Sequence, residues 1–248
     1  MTKLIRADMI RMFKARTMHM MMLLFAGLML FEGWISSGED AQSGSHMFST
    51  IIFGMGSMLL PMFVSIGICL IIGSEFTNGG IRNKMTVGHT RQAIYGSWLI
   101  CSFVITLAMT TVLIVSSFAA ALIFGGNIVI DDISVKALVI NLLVMTVCDL
   151  GFTAVIVLFC TLFTGYKSVA VAFIYNEVTM MIFSILGETF QKSSAYKLLT
   201  RFFIQAQMKF YTATEVTDSP ALTALCGASL GIVATIAGIV SFRNQDFK

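Results

Sequence analysis

The chain has 248 residues, 57% hydrophobic and only 12% charged, a balance that excludes an ordinary soluble domain and puts most of the surface against lipid. Its formal net charge of +3 is small and its basic residues are spread among short connectors, so no stripe suited to nucleic acid forms. Cys69, Cys101, Cys148, Cys160 and Cys226 fall in apolar runs without a CxxC, and His19, His46 and His89 lie far apart, which argues against a disulfide framework and against a metal site.

In residues 1–17, Lys3, Arg6, Arg11, Lys14 and Arg16 alternate with Leu4, Ile5, Met9, Met12 and Phe13. At about 100° per residue the apolar set gathers on one side and most of the basic set opposite, which predicts an interfacial helix along the inner leaflet. Asp8 and Ile10 blur that pattern. The first span follows at 18–35; its long polar preamble and an exit, FEGWISSGED, without a small-residue cleavage pattern make it a retained anchor. An acidic connector with Glu39 and Asp40 then leads to a second span at 48–73, where Pro61 is expected to bend the helix and Gly54, Gly56, Ser65 and Gly67 suit close packing.

Residues 74–93 form the main polar interruption of the first half. Arg82, Lys84 and Arg91 supply positive charge, Glu75 stands at the junction with the preceding apolar run, and Gly79, Gly80 and Gly88 divide the segment into two helical pieces. An ordinary basic cytosolic loop is the alternative to a dedicated coupling element. Further spans are predicted at 94–124, 133–163, 169–186 and 221–242, with Asp131 and Asp132 in an outer connector and Lys167 in an inner turn. Basic residues in the short connectors favour the cytoplasm for both termini, Lys136 and the cations of residues 187–220 being the exceptions. Within 187–220, Leu198, Leu199, Phe202, Phe203 and Phe210 are spaced as in an amphipathic helix at the outer interface. The fold class expected is therefore an all-α integral membrane protein with six transmembrane helices, an interfacial N-terminal helix and short external helices between spans five and six.

Asp149 and Glu177 stand near the middle of apolar spans, with Asn141 and Asn176 in the same helices. A carboxylate at bilayer centre costs on the order of 3 kcal/mol, so each is expected to face a protein interior or a wet cavity, lining a pathway, carrying protons or joining two helices. The run CGASLG contains a formal GxSxG at Ser229, but it lies inside a predicted span without a nearby histidine; a helix contact through Gly227 and Gly231 is the better reading. No lysine follows a glycine, so the chain has no P-loop, and ATP would have to be bound by another chain.

The run GSEFTNGGIRNKMTVGHTRQAIYGSWLI resembles the segment between the second and third spans of ABC-2 type transporter permeases, and KLIRADMIRMFKART resembles their amphipathic opening segment. The resemblance implies a single permease domain over 1–248, coupled through Glu75, Arg82, Asn83, Lys84, His89 and Arg91 to cytosolic ATPase subunits that hold ATP and Mg. It further implies a second permease, identical or related, membrane lipids as surroundings, and an outer gate near Phe202 and Phe203. No cofactor of its own is expected, and Asp149, Asn176 and Glu177 are the pathway candidates. An ion-coupled secondary transporter using Asp149 and Glu177, or a non-transporting immunity or sensor protein, are the alternatives.

Overall fold

The computed structural model describes residues 2–37, 44–125, 134–190, 193, 196, 199–203, 217 and 219–245. Among them the secondary structure is helical, without strand. Helix α1 (Thr2–Lys14) ends at Ala15, an extended residue, and α2 (Arg16–Ser36) begins the first span immediately after it. The second span runs from Gly44 to Thr77 through α3 (Gly44–Thr50), a π-helical turn (Ile51–Gly56) that contains a kink, and α4 (Ser57–Thr77). After α5 (Gly80–Thr86) come α6 (Arg91–Phe124), α7 (Val135–Leu162), α8 (Lys167–Phe190) and α9 (Pro220–Asn244). Six of these helical stretches are long and apolar enough to cross a membrane, matching the six spans expected.

Two spans, 44–77 and 91–124, are each 34 residues long. At 1.5 Å per residue each is roughly 50 Å, well beyond a hydrocarbon core of roughly 30 Å, so their ends project past the lipid. That overhang carries the C-terminal turn of α4 and the first turns of α6 into a polar setting.

The distortion of the second span falls at Gly54 (φ −89°, ψ −106°), and α4 continues through Pro61. The Ser57 hydroxyl donates to the carbonyls of Phe53 (2.7 Å) and Gly54 (2.9 Å), and its backbone N–H also donates to the Gly54 carbonyl, so one residue closes the end of the π turn. Gly56 lies where any Cβ would run into Leu113 of α6 and the Ile51 carbonyl, so the turn is also a point of close approach.

The most extensive helix contact is between α7 and α9. A Cβ on Gly151 would strike the Gly227 carbonyl, one on Gly227 would lie 2.9 Å from Cys148 Cα, and one on Gly231 would lie 3.0 Å from Gly151 Cα. In lipid, where apolar side chains gain nothing by leaving the solvent, such backbone contact is what holds helices together. The helix-contact reading of Gly227 and Gly231 is thus the observed one; Ser229 is exposed and its hydroxyl donates to the Cys226 carbonyl at 2.8 Å. All five cysteines are buried, none in a disulfide.

Candidate functional site

The overhanging ends of α4 and α6 meet α1 and α5 in a cluster of ionised groups. Glu75, in the last turn of α4, is 1% exposed although it ends an apolar run. Its carboxylate accepts from Lys84 Nζ at 2.8 and 2.9 Å and from Trp98 Nε1 at 2.9 Å, and it is paired with the Arg11 guanidinium. Asp8, 3% exposed, accepts from the same Lys84 Nζ at 2.9 Å and from Ser97 Oγ at 2.5 Å. The two carboxylates and two cations balance, which makes the desolvated cluster electrically neutral.

Local structure explains how the residues arrive there. Gly79 adopts φ +69°, a left-handed turn that a residue with a Cβ enters only at a cost, and it folds α5 back beside the end of α4. Ile81, 3% exposed, anchors α5 to the core, and Lys84 stands one turn further on the same side. Thr90 caps α6, its hydroxyl accepting from the Ala93 amide at 3.3 Å. One turn later α6 presents Ser97 and the fully buried Trp98, whose ring lies 5.6 Å from Phe76, 5.1 Å from Phe242 of α9 and 5.8 Å from the Lys84 ammonium. Burial pushes the Lys84 pKa below the ordinary lysine range, with the Asp8 carboxylate opposing that shift.

The coupling residues inferred from sequence therefore divide into two groups. Glu75 and Lys84, expected as contacts for a partner, face inward; Arg82 and Asn83 are exposed on α5, and His89 is half-buried. Arg91 reaches the far end of the chain, donating to the carbonyls of Arg243 at 2.7 Å and Gln245 at 2.5 Å. Gln245 in turn donates from its amide to the Thr161 carbonyl of α7. Asp8, which spoiled the two-sided pattern of α1, proves to be a member of the cluster that sequence reasoning missed. The available signal was an acid at the same helical register as Leu4 and Met12, the two buried apolar residues of that helix.

A model of the ABC-2 family transporter proteins matches residues 4–181, from α1 through most of α8, and so includes every member of the cluster. The chain belongs to the ABC-2 transporter family. Among curated proteins none matches it. An ABC-2 permease is a membrane transport component that works with an ABC ATPase, and the family match gives no support to an ion-coupled carrier.

The pathway candidates of this permease are not brought to one place. Asn176 is buried between α8 and α4, donating to Ser65 Oγ at 3.1 Å and to the Ala172 carbonyl at 2.9 Å. Asp149 is 2% exposed, and its Oδ2 has no hydrogen-bond partner among the described residues. Glu177, expected to face a protein interior or a wet cavity, is exposed on the single chain. The reason is helical geometry: Asn176 and Glu177 are about 100° apart, and the stripe Ser168, Ala172, Asn176, Thr179 and Phe183 occupies the inward side of α8. Asn141 is also buried, its Oδ1 accepting from the Thr217 amide at 3.0 Å.

Of the outer gate candidates, Phe203 lies 5.0 Å from Phe183, and Tyr196 donates to the Phe183 carbonyl at 3.2 Å. Phe202 is 36% exposed. Leu198 and Phe210 lie outside the described residues. Among the described residues no group of three His, Cys, Asp or Glu is arranged to hold a metal.

Proposed function

We propose that this chain is the permease subunit of an ATP-driven exporter, in which α5 receives the movement of a cytosolic ATPase that holds ATP and Mg, and a second permease completes the pathway. The observation that carries this reading is the fastening of α5. Lys84 ties it simultaneously to α1 through Asp8 and to α4 through Glu75, while Arg82, Asn83, Thr86 and Val87 stay exposed for a partner. Displacement of α5 is then transmitted to α1 and α4 together, because withdrawing Lys84 would leave the buried Asp8 carboxylate without its cation and Glu75 with only the half-exposed Arg11. In this arrangement both termini are cytoplasmic, the protein sits in the cell membrane of a bacterium, and the cargo is a peptide, drug or lipid-like molecule.

Glu177 supports a partner on the outward side of α8. It stands at the eleventh position of the 20-residue span Lys167–Leu186, where exposure to lipid would cost on the order of 3 kcal/mol. A second permease, with a water-filled pathway between the two, removes that cost. Phe202 and Phe203 would then close its outer end.

The test is cross-linking and transport in the complex purified from its native membrane. Arg82→Cys and Val87→Cys are expected to cross-link to the ATPase subunit, against a background kept low by the burial of all five native cysteines. Lys84→Met is expected to insert and to bind the ATPase but to hydrolyse ATP without moving cargo. Full transport by the isolated chain in liposomes, driven by an ion gradient alone, would sink the proposal.

A further inference from the structure

Helix α1 presents three sectors at about 100° per residue. Leu4, Asp8, Arg11 and Met12 take the sector docked on the protein. Lys3, Ala7 and Lys14 are exposed on a second, basic sector. Between the two runs a third. There Thr2, Ile5, Arg6, Met9, Ile10 and Phe13 form an open face of the helix, with Ile10 47% and Phe13 39% exposed.

The orientation of this face is not free. An amphipathic helix lying loose on a bilayer rolls until its whole apolar side is immersed, but Leu4 and Met12 are already used in packing and Asp8 is held by Lys84 and Ser97. Because α2 enters the membrane directly after Ala15, α1 must lie at one membrane surface, whichever side that is. Its apolar third sector therefore meets lipid at headgroup depth. Arg6 stands within that sector, between Phe13 and Ile10 around the helix and one turn from Lys3, exposed and with neither hydrogen bond nor ion pair among the described residues.

We propose that this face of α1 is a binding site for an anionic phospholipid, whose phosphate is held by Arg6 with Lys3 alongside and whose acyl chain lies on Ile5, Met9, Ile10 and Phe13. The guanidinium offers paired donors to phosphate oxygens, and the adjoining apolar strip accepts a chain and nothing polar. An occupant with one anionic end and one apolar end fits this order of residues; a soluble anion would leave the strip bare.

The experiment uses the full chain incorporated into vesicles of mixed phosphatidylcholine and phosphatidylglycerol, extracted gently and weighed intact by native mass spectrometry. The wild-type chain is expected to retain phosphatidylglycerol in preference to phosphatidylcholine. Arg6→Gln should lower that preference about fivefold, the share of one basic residue at a membrane surface. Phe13→Asn should reduce retention of both lipids, and Lys136→Gln, which removes the same charge from an exposed site at the start of α7, should change neither. Equal retention of the two lipids by the wild type, an unchanged preference in Arg6→Gln, or unchanged retention in Phe13→Asn overturns the proposal. Retention of neither lipid also overturns it and leaves the sector to a protein partner.

Discussion

The two ends of α9 rest on opposite kinds of cohesion. Along Gly227 and Gly231 it lies against α7 through bare backbone, with no charge involved; at Phe242 it packs on Trp98, beside four ionised side chains. The first contact is dense and tolerates no added atom. The second is directional and tolerates no lost partner. A membrane protein needs both, because lipid gives apolar helices no reason to associate, whereas the overhanging ends of long spans can hold charge only if it is compensated.

Substitutions at either site should break this contrast in different ways. The largest loss is expected for Glu75→Ala, which leaves the buried Trp98 N–H without its acceptor and Asp8 as the one carboxylate beside the two cations of the cluster. We predict a fall of about 3–5 kcal/mol in stability, read from unfolding of the purified chain in detergent. A fall below about 1 kcal/mol would mean that water already reaches the cluster. Next comes Gly227→Val, which forces α9 away from Cys148 and Gly151; a loss of about 1–3 kcal/mol is expected in the same assay. Ser229→Ala, two residues away but exposed, should stay within about 0.5 kcal/mol of wild type.

A finer measurement concerns the α6–α7 contact. Thr106 and Thr153 share a hydrogen bond at 2.7 Å between buried hydroxyls. A double-mutant cycle with Thr106→Val and Thr153→Val should give a coupling of about 0.6 kcal/mol, the usual size for such bonds between membrane helices. The smallest effect on stability belongs to Arg82→Ala, which should unfold within about 0.5 kcal/mol of wild type yet bind the ATPase more weakly in a pull-down. Unimpaired binding would move the docking surface off α5.

The spans were legible because apolar runs of sufficient length leave little else to form, and the observed boundaries differ mainly where helices run on past the lipid, as α4 does to Thr77 and α6 does from Arg91. The polar segment between them was legible as a unit, but its inward and outward residues were not. Glu75 and Arg82 look alike in sequence as charged residues near glycine turns; only the fold of Gly79 and the approach of α1 decide that one is enclosed and the other free. α4 continues as helix through Pro61, where the bend was expected, and the non-helical residue of this span is Gly54, whose lack of a side chain admits that conformation. Gly151 drew no notice beside the glycine pair of α9, since a contact between helices is written half in each. The exposure of Glu177 could have been read from the small and polar stripe on the other side of α8, whose spacing assigns the inward direction.

A last consequence follows from Ala15. Helix α1 is bound to α4, α5 and α6, yet a single extended residue is all that separates it from α2. Beyond that corner α2 packs along α6, with Phe25 and Met29 fully buried and Gly33 close against Ala120, so both arms of the bend are pinned to the same long helix and a pull on the ionic knot reaches the first span by two routes.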